Sequence, residues 1–275
     1  MSRLFVFGDL HGGSMGELQF LTMKKFPEQK ELTKEDVVII AGDSAILWSY
    51  PEFKQGFKSD QKLAAELAAR KFTLFIVPGN HENYDLLNAL PLVDKWGGKV
   101  YVLTTKNGDI FFAKRGEVYE INDKKIFTFS GAKSHDLDYR HSLSELGMKK
   151  RFHYSQNRSK IKEVKISHIN HWDQELPTEE ECLYALDNLS KHSYKVDYVI
   201  THTCPEEIMC EFIHRTPKTK LKFEDPVALF LNEVNSLLEF KEWHFGHLHT
   251  NAKVETEDGV FMCHYFKKPY ELGVK

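Results

Sequence analysis

Paired cysteines are missing from this chain. Its four cysteines, Cys182, Cys204, Cys210 and Cys263, stand apart with no C-x-x-C pair, and a chain of 275 residues needs no disulfide staples. A disulfide scaffold is thereby excluded and a reducing compartment expected. Long apolar runs are missing too: none approaches the ~20 residues that span a bilayer, which argues against a transmembrane role. Nor is charge of one sign in excess, with 37 Lys and Arg against 40 Asp and Glu, so there is no global basic field of the kind that marks many nucleic-acid binders. Internal repeats and low-complexity linkers are absent. The opening Leu4-Phe5-Val6-Phe7 is too short for a signal peptide, and a cytoplasmic location is expected.

What is present is a rhythm. Strand-like Arg3 to Phe7, Asp36 to Ala41 and Phe72 to Val77 alternate with helix-like Gly16 to Lys25 and Ser59 to Lys71, which predicts parallel βαβ units and an α/β fold. Val37-Val38-Ile39-Ile40-Ala41 and Thr73-Leu74-Phe75-Ile76-Val77 are near-continuous apolar runs, as expected of strands covered on both faces. Short strands follow at Lys99 to Leu103, Asp109 to Ala113, Glu117 to Ile121 and Lys124 to Ser130, with Asn107-Gly108 and Asn122-Asp123 as turns.

Residues 131 to 176 lose periodicity and read as a long irregular excursion. Thr178-Glu179-Glu180-Glu181 reads as a capping box heading a helix to about His192, with Leu183, Leu186 and Leu189 inward. Val196 to Thr201 is the next strand. Asp225 and Pro226 read as N-cap and first position of a second helix that turns Leu229, Phe230, Val234, Leu237 and Leu238 inward. Glu242 to Phe245 and Gly259 to Phe266 complete the strands.

Glycine recurs at the strand ends beside Asp, Asn or His: Gly8-Asp9-Leu10-His11-Gly12, Gly42-Asp43, Gly79-Asn80-His81-Glu82 and Gly246-His247-Leu248-His249, with His202 closing another strand. Each motif lies where an α/β sheet presents ligands. Residues two apart share a strand face, so Asp9 with His11, and His247 with His249, aim in related directions. Aspartate and neutral imidazole suit Zn, Mn and Fe, and a carboxylate between two cations roughly 3.5 to 4 Å apart reduces their repulsion. One such piece alone reads as a polar turn. The ordered set, from residue 8 to residue 249, requires the chain to fold back on itself and predicts one domain over 1–275.

These five segments, in this order, resemble the motifs of the calcineurin-like metallophosphoesterases. The resemblance implies a four-layer α/β/β/α sandwich, two mixed β-sheets flanked by helices, with a dinuclear metal site at the sheet edge. It implies one metal on Asp9, His11 and His249, the other on Asn80, His202 and His247, and Asp43 bridging them. It further implies that hydroxide held between the metals attacks the phosphorus of a phosphomonoester or phosphodiester. His81 would donate a proton to the leaving oxygen or stabilise it, and Glu82 would orient that site from behind. The two ions would be Mn, Fe or Zn.

Protein Ser/Thr phosphatases of this superfamily carry an Asp-Arg pair shortly after the bridging aspartate, whereas this chain has Ser44-Ala45-Ile46-Leu47-Trp48. A nucleotide or other small phosphoester is therefore expected ahead of a phosphoprotein. The stretch Gly131-Ala132-Lys133-Ser134-His135-Asp136 with Arg140, then His171-Trp172 and Glu175-Leu176-Pro177, resembles a bacterial and phage subgroup of unknown substrate. His135 and Arg140 are candidate phosphate contacts, with a surface ion pair the rival reading of the arginine. The basic stretch from Lys149 to Lys165 reads as a solvated face or as a guide for a polynucleotide, the only support for a nuclease. Trp48, Tyr50 and Trp172 read as core, with a base-stacking pocket as the rival. No membrane and no obligate protein partner is expected. A non-catalytic metal-binding scaffold on the same fold is the rival from another class.

Overall fold

The computed structural model describes residues 2–13, 17–134, 150–153, 162–165, 172–214, 225–265 and 267–274. In chain order these hold β1 (Leu4–Phe7), β2 (Val37–Ala41), α1 (Lys54–Ala68), β3 (Thr73–Val77), α2 (Tyr84–Asn88), β4 (Leu92–Lys95), β5 (Gly98–Thr105), β6 (Gly108–Ala113), β7 (Val118–Ile121) and β8 (Lys124–Phe129). There follow β9 (Lys150–His153), β10 (Lys162–Lys165), α3 (Glu179–Lys191), β11 (Tyr198–Thr201), α4 (Glu206–His214), α5 (Pro226–Leu237), β12 (Glu242–Phe245), β13 (Ala252–Glu255), β14 (Val260–Cys263) and β15 (Tyr270–Glu271).

Two mixed sheets carry the fold. The first runs β15-β1-β2-β3-β6-β5-β4 and the second β13-β14-β12-β11-β8-β7, while β9 and β10 pair by themselves. In the first sheet β1, β2, β3 and β6 are parallel neighbours. In the second β8, β11, β12 and β14 are parallel neighbours. Antiparallel strands finish each sheet at its edges. The central strands therefore deliver their carboxyl ends, and the loops that follow, to one side of their sheet.

Alternation along the strands sorts the core into layers. Leu4, Val6, Val37, Ile39, Phe75 and Val77 of the first sheet pack with Ile126, Tyr198 and Ile200 of the second. The opposite face of the first sheet sends Phe5, Phe7, Val38, Ile40, Leu74 and Ile76 against Ala64, Leu67 and Ala68 of α1 and Leu87 of α2. The outer face of the second sends Phe127, Phe129, Val199, Trp243 and Phe245 against α3, α4 and α5. Helix, sheet, sheet, helix is the four-layer order expected.

Several elements depart from expectation. The segment read as a helix from Gly16 to Lys25 forms short 3-10 turns instead, at Glu17–Leu21 and Pro27–Lys30, with Gly16 itself outside the described residues. Gln29 explains part of this: its Nε2 donates to the carbonyls of Leu21 and Phe26, both at 2.9 Å, taking acceptors that a continuing helix would use. Helix α1 starts earlier than read, at Lys54, its first turn hidden in the sequence by Gly56, a poor helix former. β4 was not anticipated: its residues are mostly exposed and show no alternation. Leu183, Leu229 and Leu237, read as inward, face solvent. The capping box at Thr178 and the Asp225 cap with Pro226 both form as read.

Candidate metal centre

Most of the candidate ligands sit on strained backbone. His11, Asp43, His247 and His249 have φ between 46° and 61°, the left-handed region that costs a non-glycine residue about 1–3 kcal/mol. Such strain persists only where the surroundings over-determine it. Here the loop after β1 is tied to the loop after β2, the amides of Leu10 and His11 donating to the Asp43 carbonyl at 3.2 and 2.7 Å. Two motif glycines are forced by crowding: a Cβ at Gly79 would strike the Asp43 carboxylate, and one at Gly246 the Asp9 carboxylate.

Among the described residues, Asp9, His11 and His249 bring one donor atom each to within 4.8 Å of one another. His11 Nε2 lies 2.9 Å from His249 Nε2, and His249 Nε2 lies 3.5 Å from Asp9 Oδ2. The set grades from the buried carboxylate of Asp9 to the half-exposed ring of His249, so it is open to solvent on one side. Burial pushes the His11 pKa down to about 4, so its imidazole is neutral with a lone pair to offer. Burial, with Asp43 nearby, raises the Asp9 carboxyl. Asp9 Oδ2 is buried and accepts no hydrogen bond from the described residues. A buried, unsatisfied carboxylate oxygen facing two imidazoles is a donor set that a divalent cation fits.

A second set lies deeper. His202 is fully buried, and its Nδ1 must donate to the Ala41 carbonyl at 3.0 Å because that oxygen only accepts. Its Nε2 then faces Asn80 Oδ1 at 2.9 Å and Asp43 Oδ1 at 3.2 Å, with the His247 ring centred 4.9 Å away. Burial alone would raise the Asp43 carboxyl, but His202, His81 and His11 outweigh it and hold the group well below the usual range. The chain here gathers oxygen acceptors and imidazoles around Asp43, whose Oδ1 also accepts the His81 amide at 2.9 Å.

His81 is half-buried, its ring centred 6.2 Å from that of His11 and 5.7 Å from that of Trp48. Trp48 is partly exposed and meets Trp172 edge-on at 6.3 Å. Trp172 is core, as read, and its Nε1 donates to the Tyr50 hydroxyl at 3.1 Å. Trp48 instead stands beside His81.

Glu82 is wholly buried, and its carboxylate reaches Ser44 and Gly79. Its Oε1 accepts the Ser44 amide at 2.5 Å and the Ser44 hydroxyl at 2.7 Å, and its Oε2 accepts the Gly79 amide. One carboxylate thus joins the loops after β2 and β3. His135, Arg140 and most of the basic stretch from Lys149 to Lys165 lie outside the described residues.

The structure adds Ser134 and Glu175, to which no role was given from sequence. Asn80 Nδ2 donates to Ser134 Oγ at 3.0 Å, and Ser134 donates from its amide and hydroxyl to Glu175 at 2.7 and 2.8 Å. The available signal was positional: Ser134 follows β8, a central parallel strand like those that end in the motifs.

The family model described as calcineurin-like phosphoesterase matches residues 2–206. That match stops short of His247 and His249, which the fold brings back to Asp9. No curated protein matches the chain. Among solved structures, a phosphopantetheinyl hydrolase from Mycobacterium tuberculosis is similar at 14% identity and TM-score 0.44, over 100% of this chain and 96% of that one. GAP50, the anchor in the inner membrane complex of Plasmodium, is similar at 12% identity and TM-score 0.44, over 96% of this chain and 71% of that one. TM-scores this low give neither likeness any bearing on function.

Proposed function

This chain belongs to the calcineurin-like phosphoesterases, hydrolases that act on phosphate esters with two divalent metal ions, and we propose that it hydrolyses a nucleotide or other small phosphoester. Asp9, His11 and His249 would hold one ion and Asn80, His202 and His247 the other, with Asp43 available to both. Mn, Fe and Zn all suit this mixture of oxygen and nitrogen donors. When bound, the two cations polarise the phosphoryl group and lower the pKa of water. The observation that carries the reading is a pair of donor sets drawn from the ends of five strands: Asp9, His11 and His249 close together, and His202 with Asn80 and Asp43, the two joined by the Leu10 and His11 amides on the Asp43 carbonyl.

The remaining work falls to the chain's own side chains. His81, fixed to Asp43 through its amide, passes a proton to the leaving oxygen. Trp48, beside His81 and backed by Trp172, offers an aromatic wall on that side, and stacking on such a wall favours a nucleobase by about 1–3 kcal/mol. Ser44, at the start of the segment that replaces the Asp-Arg pair of protein phosphatases, spends its hydroxyl on Glu82, which supports a small substrate over a phosphoprotein. We take 1–275 as one domain, since the site draws on both ends of the chain and the two sheets share a core layer. Four free cysteines fit action in the cytoplasm.

The test is a metal-loaded assay against phosphomonoesters, phosphodiesters, nucleotides, an oligonucleotide and a phosphopeptide. Hydrolysis of a nucleotide or small diester is expected, and His81→Ala should lower kcat roughly 10²–10⁴-fold with both metals retained. Silence across the whole panel would leave a metal-binding scaffold as the better reading. An unchanged rate in His81→Ala would remove that residue from the chemistry.

A further inference from the structure

The amide of Asn80 has two ends, and only one of them can ligate a cation. Its oxygen must face His202 and Asp43, so its nitrogen must find an acceptor on the other side. That acceptor is Ser134 Oγ at 3.0 Å. A serine hydroxyl can equally donate, which would turn the amide round, unless its proton is already committed. Glu175 commits it: Oε2 takes the Ser134 hydroxyl proton at 2.8 Å while Oε1 takes the Ser134 amide proton at 2.7 Å. Ser134 and Glu175 are 2% and 0% exposed, so no solvent competes for these bonds.

Glu175 is itself clamped. The guanidinium of the buried Arg115 donates to the carbonyls of Gln174 at 2.8 Å, Glu175 at 3.2 Å and Leu176 at 3.3 Å, and its Nε donates to the Ser130 carbonyl at 3.1 Å. The segment carrying Glu175 is thereby fastened to the end of β8, the strand that leads to Ser134. From this arrangement we infer that Glu175 and Ser134 are positioning residues: their one-way chain of hydrogen bonds sets the Asn80 amide so that Oδ1, and not Nδ2, faces the second metal position. The inference rests on the two-metal reading above.

Direction makes it testable. Glu175→Gln leaves one acceptor where Ser134 needs two. If the new amide oxygen accepts the Ser134 N–H, its nitrogen donates to Ser134 Oγ, and the displaced hydroxyl proton turns toward Asn80. The Asn80 amide must then flip and present Nδ2 to the metal. With Asn80→Asp the requirement reverses, because the carboxylate there needs a donor from Ser134, which Glu175 withholds and Glu175→Gln releases. The same substitution should therefore weaken the second site in the native background and strengthen it in the Asn80→Asp background.

Metal-stripped full-length protein, titrated calorimetrically with Mn²⁺, reads this out without any assay of activity. Wild type should bind two ions. Glu175→Gln should keep the first site and lose about 10- to 100-fold in affinity at the second, the usual cost of removing a partner behind a metal ligand. Adding Glu175→Gln to Asn80→Asp should raise second-site affinity above that of Asn80→Asp alone. General loosening of the fold would lower affinity in both backgrounds, so a change of the same sign in both overturns the inference while leaving the two-metal reading intact. A wild type that takes up no second Mn²⁺ overturns both. Should Glu175→Gln fail to fold, Ser134→Ala carries the test: a second site weakened about 10- to 100-fold with the first unchanged supports the inference, and two wild-type affinities overturn it.

Discussion

Two histidine pairs in this protein share one distance and differ in nearly everything else. His11 Nε2 and His249 Nε2 lie 2.9 Å apart in the loops after β1 and β12. His244 Nδ1 and His264 Nε2 also lie 2.9 Å apart, on β12 and just past β14. In the second pair the rings stack at 5.1 Å, and His244 Nε2 is 3.3 Å from Glu242 Oε2. Because a carboxylate only accepts, His244 carries its proton on Nε2, its Nδ1 accepts, and His264 Nε2 donates. Every contact in that chain has one proton. The first pair instead points, with the unsatisfied Asp9 Oδ2, at a common region, and both its residues sit on left-handed backbone. A chain of donors and acceptors is a core feature, whereas lone pairs converging on strained backbone are a donor set that could hold a cation. Distance alone does not separate them.

The largest effect that would break this contrast is on folding. His244→Ala removes a fully buried ring packed against His264, Tyr270 and Tyr198. It leaves a cavity together with an unpaired donor on His264, and takes from Glu242 Oε2 its histidine partner. The expected cost is about 3–5 kcal/mol in denaturant unfolding, with two metals still bound by the folded protein. Loss of metal in proportion to the residual fold would be consistent, but loss of metal from fully folded protein would place this pair in the site after all.

A smaller effect follows from pH. Burial pushes the His244 pKa down, and burial with His244 beside it pushes that of His264 well down. Around them stand Glu242, Tyr198, Tyr270 and Lys267, of which Glu242 opposes the shift on His244 and Lys267 reinforces that on His264. An unfolded histidine titrates near 6.5, so below that pH the unfolded chain binds protons that the native pair refuses. The stability this pair contributes is complete above about pH 6.5 and is lost as pH falls from there toward the native values, at most about 1.4 kcal/mol per unit for each proton. His264→Phe keeps a ring and removes one titrating group, so its unfolding free energy should fall less steeply than wild type between about pH 6.5 and pH 5. Parallel curves would show that the buried pair is already charged.

That contrast also marks how much could be read from sequence. The strand-end motifs were legible because glycine, Asp, Asn and His cluster within a few residues of an apolar run, and crowding such as that at Gly79 leaves glycine as the residue that fits. Caps were legible for the same local reason, at Thr178 and Asp225. Glu175 was not: its partner Ser134 is 41 residues away, and a single buried acid in a polar segment has no period to betray it. The His244 and His264 pair was equally hidden, since a histidine in a strand gives no sign of which ring it will meet. Helices misled in a different way. Leu229 and Leu237 of α5 fit an apolar stripe wider than the face the sheet covers, and they stand in solvent.

The smallest effect on folding belongs to His249→Ala, and that smallness gives the substitution its use. The His249 side chain is 44% exposed and stacks on Tyr265 at 4.7 Å, so its loss should change unfolding free energy by no more than about 0.5 kcal/mol in metal-free protein. In the metal-loaded protein the same substitution should strip the first ion while the buried set around His202 keeps the second. Metal counting by mass spectrometry on folded protein would then read one ion where wild type has two, and the stability difference between variant and wild type would appear only when metal is present. Set against His244→Ala, this gives opposite signatures from two histidines that each make a 2.9 Å contact: one that costs the fold and spares the metal, and one that costs the metal and spares the fold. If His249→Ala destabilised the metal-free protein as much as His244→Ala does, the half-exposed pair would be structural, and Asp9 would have lost the partner that makes its buried oxygen intelligible.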